Sequence, residues 1–395
     1  MKCGTISRER EGDGKGKKTL TARRVLILTA SIGSGHIKAA EAVRRELQQQ
    51  MPEAEIVTVD FMSRQISLLH WLMKQIYLKM LAFVPNLYDV FYRIAGGASG
   101  GSLVQKAFSV VMLPVISRLI ERFHPDAVIC THPFPEGAVS LWKRRHQSSL
   151  PLAVVMTDYS LHQIWLYPGV TQYFMATEAM REEMIARNFP EQSLYADGIP
   201  VDGRLAFLPS KEAVRAELDL PDGCPAVLLM GGGLGLGGIA PTLQELESIH
   251  ERLALLVVAG HNEALLAEAK RFAKTSRHLV RVWGYTEQAH RLMQAADLLI
   301  TKPGALTISE AFVLGLPMLL HDPIPGPETE NAVYATKNGA AVWLHPGERL
   351  AAAVRDLLAG GCLEQMRQHA LACGRPDAAR AIAGRIAAGI RCQIL

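Results

Sequence analysis

The chain has no run of about eighteen uninterrupted apolar residues, the length a helix needs to cross a bilayer. Its most apolar stretch, residues 103–120, is interrupted by Lys106, Pro114 and Arg118. Near the N-terminus no apolar core is followed by a small-residue cleavage site, so a secretory signal is not expected. Cysteine is sparse: Cys3, Cys130, Cys224, Cys362, Cys373 and Cys392 are scattered, with no C-x-x-C pair, and the histidines complete no metal-ligand spacing. Free thiols in a reducing, cytoplasmic setting are expected, with no bound metal or other cofactor. The net charge of +4 is too mild to imply a nucleic-acid partner.

What is present points to a globular protein with a sizeable core. The 395 residues are 49% apolar and 20% charged, which suits two domains or one large one. Charge is unevenly placed. Residues 1–24 carry eight Lys and Arg against three acidic residues, an excess larger than that of the whole chain. Residues 1–23 therefore read as a solvated, disordered basic arm, with contact to anionic lipid as the alternative.

Apolar runs and glycine turns alternate along the rest. Residues 24–30 form a buried strand that runs into Ser31, Ile32, Gly33, Ser34, Gly35 and His36, then a helix from about residue 38 to 50 and a second strand at 55–59. A glycine turn at the carboxyl end of a first parallel strand is the usual ligand position. His36 at its mouth is a candidate catalytic base or a helix-start hydrogen-bonding residue. Residues 61–101 are rich in bulky apolar side chains with interspersed cations, which suits either a surface meeting lipid headgroups or a helical pair completing the core. Strands at 125–130 and 152–156 end at His132 and at Asp158 and His162. Parallel strands put all of these on one edge, so they are candidates for the same cleft as His36, or strand-end hydrogen-bonding residues. Further elements follow at 173–176, 178–188 and 193–196.

Residues 198–203 break the pattern, and a second strand–helix series begins after them. Its first strand, 226–230, runs into Gly231, Gly232, Gly233 and three more glycines within eight residues. That density suggests a backbone approached closely by a ligand, a diphosphate cradle, rather than a plain flexible loop. Strands at 253–259, 280–282, 298–300, 318–320 and 341–343 follow, with Gly284 and Tyr285 placed where a flat base could stack. Between two of them lies TKPGALTISEAFVLGLPMLLHDPIPGPETEN, residues 301–331. It reads as a turn with Pro303 and Gly304, a helix with Thr307 and Ser309 as candidate caps, a stop at Gly315 and Pro317, and a strand. The helix start would face an anion with free N–H groups and the positive dipole end. Glu310, read in the first turn, would reach ribose hydroxyls. A basic helix at about 376–390 closes the chain.

The fold class expected is α/β, with two doubly wound Rossmann-like domains facing a central cleft: 24–203, 204–365, and a terminal helix in 366–395 that crosses back. This resembles the GT-B architecture. More specifically, ASIGSGHIKAAEAV, TDYSLHQIW, FMATEAMREEM with GIPVDGRL, MGGGLGLGG and the 301–331 segment resemble the monogalactosyldiacylglycerol synthase and processive diacylglycerol glucosyltransferase group of glycosyltransferase family 28. The resemblance runs in order from about residue 24 to 360. It implies an inverting, metal-independent transfer of a hexose from a UDP-sugar to diacylglycerol or a similar lipid, by a protein peripherally bound to the inner face of the cell membrane through an anionic surface. It implies that Glu310 holds the ribose. Gly231 to Gly233, Pro303, Gly304 and Thr307 would cradle the diphosphate, and Tyr285 would lie by the uracil. Glu328 and Asn331 would lie near the sugar. On the acceptor side it implies Gly33, Gly35, His132 and His162, with His36 as base and Asp158 as rival base or orienter. Where these relatives often read PGQE, this chain has Pro327 before Glu328, which leaves the donor hexose open. Transfer of N-acetylglucosamine to a polyprenyl-linked acceptor, and a UDP-sugar-binding protein without turnover, are the alternatives.

Overall fold

The computed structural model describes residues 23–31, 34–63, 100–231, 238–321, 323 and 326–392, with the backbone alone for 100–108. The basic arm to residue 22, residues 64–99 of the bulky insertion, and Gly33, Gly232 and Gly233 lie outside the described residues.

Two six-stranded sheets form, each wholly parallel among its paired strands. The first contains β1 (Arg24–Thr29), β2 (Glu55–Asp60), β3 (Ala127–Cys130), β4 (Leu152–Val155), β5 (Gln172–Phe174) and β6 (Leu194–Tyr195), in the order β2-β1-β3-β4-β5-β6. The second contains β7 (Ala226–Met230), β8 (Ala254–Val258), β9 (Leu279–Trp283), β10 (Leu298–Thr301), β11 (Met318–Leu320) and β12 (Ala341–Trp343), in the order β12-β11-β10-β7-β8-β9. The apolar runs are continuous because both faces of each sheet are covered. Val25 and Ile27 enter one core while Leu26 and Leu28 enter the other. Val227 and Leu229 divide from Leu228 and Met230 in the same way.

The two halves repeat one device at the sheet floor. Asp126, just before β3, accepts from the Arg24 backbone N–H at 2.8 Å. Asp297, just before β10, accepts from that of Ala226 at 2.7 Å. Each carboxylate thus fixes the register of the two strands that flank a reversal of strand order. That reversal opens a crevice at the carboxyl ends, between β1 and β3 in one half and between β7 and β10 in the other. In the sequence, the two glycine turns follow β1 and β7, the strands that border these crevices.

The helix after β10 is Ala305–Leu314, with Gly304 as its N-cap and Gly315 in the left-handed region ending it. The sequence placed the caps at Thr307 and Ser309, and this is corrected. Ser309 lies inside the helix and donates back to the Ala305 carbonyl at 2.8 Å, and Glu310 falls in the second turn. The reason is physical: a glycine N-cap supplies no side-chain acceptor, so the start leaves no mark of the usual Ser, Thr, Asp or Asn kind.

The chain crosses between the halves twice. Gly198, with φ of +99°, passes so close to the returning segment that a Cβ would lie 2.7 Å from that of Arg375. The returning segment lies between the last two helices, Leu363–Cys373 and Ala378–Cys392. Met366 and Ala370 of the first join the cores of the second sheet. Ile382, Ala383, Ile386, Ala387 and Ile390 of the second pack with Val43 and Leu47 of helix Gly35–Gln50, under the first sheet.

Candidate active site

His36 sits in the first turn of helix Gly35–Gln50, at the crevice between β1 and β3. Its Nδ1 lies 2.9 Å from the Thr131 carbonyl oxygen and 2.7 Å from Thr157 Oγ1. A carbonyl can only accept, so Nδ1 carries the proton and Nε2 holds the free lone pair. Thr131 is held in turn: its hydroxyl is 3.0 Å from the His36 carbonyl and 3.0 Å from Thr29 Oγ1. Burial lowers the His36 pKa to about 4, against the opposing pull of the Thr131 carbonyl, although part of the ring's residue surface stays open to solvent. At neutral pH the ring is therefore uncharged and able to take a proton at Nε2.

His132 packs edge-on against His36, with ring centroids 4.5 Å apart. It caps helix Pro133–Arg145, its Nδ1 accepting from the Phe134 N–H at 3.2 Å. Burial, and then the neighbouring His36, hold its pKa well below the usual imidazole range. His162 makes the equivalent cap on the short Gln163–Trp165 turn, accepting from the Ile164 N–H at 3.2 Å. Both are strand-end hydrogen-bonding residues, and His132 also walls the pocket of the His36 ring. Asp158, after β4, has its carboxyl pushed up to about 6 by burial. Hydrogen bonding from Trp165 opposes this, the Glu328 charge adds to it, and Asn331 opposes it.

The facing edge is built from the turn after β10. Gly304 is extended, with no atom within 4 Å of where a Cβ would stand. Its backbone is thus open to a ligand directly before the first N–H groups of the helix. Lys302 is ion-paired with Glu328, both side chains largely covered. Glu310, 4% exposed, accepts from His290 Nε2 at 2.8 Å. Pro303 is buried, Thr307 is partly open, and Gly231 is buried at the end of the neighbouring β7. Tyr285, 54% exposed, stacks on His261 with centroids 4.3 Å apart. Asn331, 1% exposed, accepts from the Tyr159 N–H at 2.9 Å and donates to the Pro303 carbonyl at 3.3 Å. Its amide is engaged in joining the two edges.

The two edges meet. A Cβ on Gly35 would lie 3.7 Å from Cβ of Leu306, so the helix start bearing His36 and the helix start after Gly304 confront each other. Ala305 and Leu306 accordingly belong to the core of the first domain. The structure adds residues that sequence reasoning missed. Thr131 and Thr157 orient His36, His290 holds Glu310, and Lys302 stands at the turn. Lys302 was legible as a cation beside Pro303 and Gly304. His290, twenty residues from Glu310 and on a separate helix, had no signal. Among the described residues no group of three or more His, Cys, Asp or Glu is placed to hold a metal ion.

Comparison with known proteins agrees with this layout. The monogalactosyldiacylglycerol (MGDG) synthase family model matches residues 36–201. The glycosyltransferase family 28 C-terminal domain model matches residues 227–382. The processive diacylglycerol beta-glucosyltransferase of Bacillus cereus (strain B4264) is 30% identical over 336 residues, 85% of either chain. Among solved structures, MurG of Acinetobacter baumannii superposes with a TM-score of 0.61 at 17% identity, covering 92% of this chain and 99% of that one. UGT2 of Phytolacca americana, complexed with UDP-2fluoro-glucose and pterostilbene, does so with a TM-score of 0.60 at 12% identity, covering 94% and 100%. These two likenesses establish the GT-B fold, and the family models with the Bacillus relative establish more: the chain belongs to the monogalactosyldiacylglycerol synthase and processive diacylglycerol glucosyltransferase group of glycosyltransferase family 28.

Proposed function

We propose that the protein transfers a hexose from a UDP-sugar to the free hydroxyl of diacylglycerol or a similar lipid, at a membrane surface, with inversion at the anomeric carbon. The observation that carries this reading is the neutral His36 imidazole, tied down at Nδ1 and free at Nε2, opposite the open helix start at Gly304. The family relatives named for diacylglycerol glucosylation support the acceptor class.

In this reading the lipid hydroxyl gives its proton to His36 Nε2 as its oxygen attacks the anomeric carbon. The new C–O bond forms on one face while the bond to the diphosphate breaks on the other, and UDP leaves with the electron pair. A base so placed contributes roughly 10²–10⁴-fold. A ring with a pKa near 4 is a weak base alone. The diphosphate brings negative charge beside it, which stabilises the imidazolium as it forms. Charge growing on the leaving group meets the N–H groups after Gly304 and the Lys302 ammonium. Glu310, held by His290, keeps its carboxylate turned to the donor ribose, and Tyr285 with His261 offers a flat surface to the base. Gly231, at the end of β7, borders the diphosphate, and Glu328 stands by the hexose. Closure of the two domains excludes water, which would otherwise hydrolyse the donor.

Action at the surface of a membrane fits a lipid acceptor. Among the described residues no helix is long and apolar enough to cross a bilayer. Helix Gly100–Phe123 exposes Val110 and Val111, 52% and 40% open, next in sequence to the bulky insertion. The test is incubation with radiolabelled UDP-glucose and UDP-galactose and diacylglycerol vesicles, with lipids resolved by chromatography. A labelled β-linked glycolipid that requires diacylglycerol is expected. Label confined to UDP-sugar or free hexose overturns the reading.

A further inference from the structure

Tyr159 belongs by sequence to the first domain, immediately after β4 and Asp158, yet its side chain lies in the second. The phenol oxygen is 2.8 Å from Ser309 Oγ. The ring stacks on Tyr334 at 4.4 Å with planes 13° apart and meets Phe312 edge-on at 5.8 Å. Burial raises its pKa above the ordinary phenol value, so it stays a neutral donor. It packs against the cores of both domains. Its backbone N–H donates to Asn331 Oδ1 at 2.9 Å, and Asn331 donates to the Pro303 carbonyl at 3.3 Å.

Two donor-side helices therefore converge on one acceptor-side residue, and a donor-side turn joins them through Asn331. Ser309 precedes Glu310 on helix Ala305–Leu314. Asn331 and Tyr334 lie on helix Pro327–Lys337, whose first turn holds Glu328. Pro303 belongs to the turn that opens at Gly304. Ser309 and Tyr334 meet the Tyr159 side chain and Asn331 its backbone N–H, next in sequence to Asp158, while Pro303 is linked to it through Asn331.

We infer that Tyr159 is a positioning residue, a peg that sets the acceptor-side edge against the donor-side helix starts and so sets the approach of lipid hydroxyl to anomeric carbon. The inference rests on the function proposed above. Its physical content is geometric, because a misplacement of about 1 Å at a reacting pair costs on the order of 10²-fold in rate. It also implies that a loosened peg admits water to the donor. Ser309 keeps its bond to the Ala305 carbonyl without the phenol, so loss of the Tyr159 hydroxyl alone leaves no unpaired Ser309.

The test compares wild type, Tyr159→Phe and Tyr159→Ala in transfer from UDP-hexose to diacylglycerol, in hydrolysis of UDP-hexose, and in UDP binding by calorimetry. Tyr159→Phe keeps the stack and the N–H bond, and transfer within about threefold of wild type is expected. Tyr159→Ala is expected to lose roughly 10²-fold in kcat for transfer with UDP affinity within threefold, while the ratio of hydrolysis to transfer rises at least tenfold. The inference is overturned if Tyr159→Ala transfers within threefold of wild type. It is also overturned if transfer, hydrolysis and UDP binding fall together at an unchanged ratio, the mark of a merely structural role. Should Tyr159→Ala not fold, Asn331→Ala is read by the same ratio, and an unchanged ratio overturns the inference equally. A wild type that transfers no hexose defeats the functional reading itself, and the peg with it.

Discussion

His36 and Asp158 have their protonation states set by burial, and pH tests this directly. Burial keeps His36 neutral down to about pH 4, so the acid limb of kcat/KM that belongs to this base lies near 4 rather than near 6.5. A flat profile from pH 7 to about 5 is expected. A limb near 6 that disappears in Asp158→Asn would hand the role of base to Asp158. Asp158 has a separate effect on stability. Its folded pKa is raised from 3.8 to about 6, so between these values the folded state holds a proton that the unfolded state has lost. Stability from this group is complete below the unfolded value, falls as pH rises through the window, and is level above it. Asp158→Asn removes the fall. The variant is expected to be more stable than wild type at pH 8 by about 1–3 kcal/mol, with the gap closing by pH 4, as measured by denaturant unfolding. A gap that is constant with pH would contradict the burial of this carboxyl.

The elements were legible where packing leaves a pattern. Strands β7 and β11 fall at the residues expected, because a strand covered on both faces has to be apolar throughout, and so does the edge strand β12, although its Val342 is exposed. Helix starts were not legible where no side chain caps them. Helix Gly35–Gln50 begins three residues earlier than its apolar spacing suggested, and Ala305–Leu314 carries no side-chain cap. A start left uncapped is free to bind an anion, and the same feature hides it from a reading that looks for capping residues. The pairs that tune the site, His290 with Glu310 and Thr131 with His36, join separate elements, so no local spacing announces them. Pro327 was legible only as a departure from the motif of relatives. The fold supplies a local reason, since it opens helix Pro327–Lys337 where a missing N–H costs nothing. Gly198 carries the prediction at this scale. A side chain there would meet Arg375 and would have to adopt a φ near +99°. Gly198→Ala is expected to cost about 1–3 kcal/mol in denaturant unfolding. An unchanged midpoint would show that the crossing has slack.

At the scale of the whole molecule, the described residues join the two domains at the crossing by Gly198, at Tyr159, at Ala305 and Leu306, and through the final helix. That helix completes the first domain's core from the far end of the chain, with Ile386 buried against helix Gly35–Gln50, the element that carries His36. Ile386→Ala is expected to destabilise by about 2–5 kcal/mol and to lower transfer by loosening the His36 helix. Unfolding of the second domain alone, with the first unaffected, would contradict this packing. Every reading here depends on two glycine-lined sheet edges presenting a base to a donor across one cleft. The measurement that tests it most directly is single-turnover transfer by wild type and His36→Ala at matched UDP-hexose occupancy. The account predicts a loss of about 10²–10⁴-fold with donor affinity retained. Transfer by His36→Ala at the wild-type rate would contradict it.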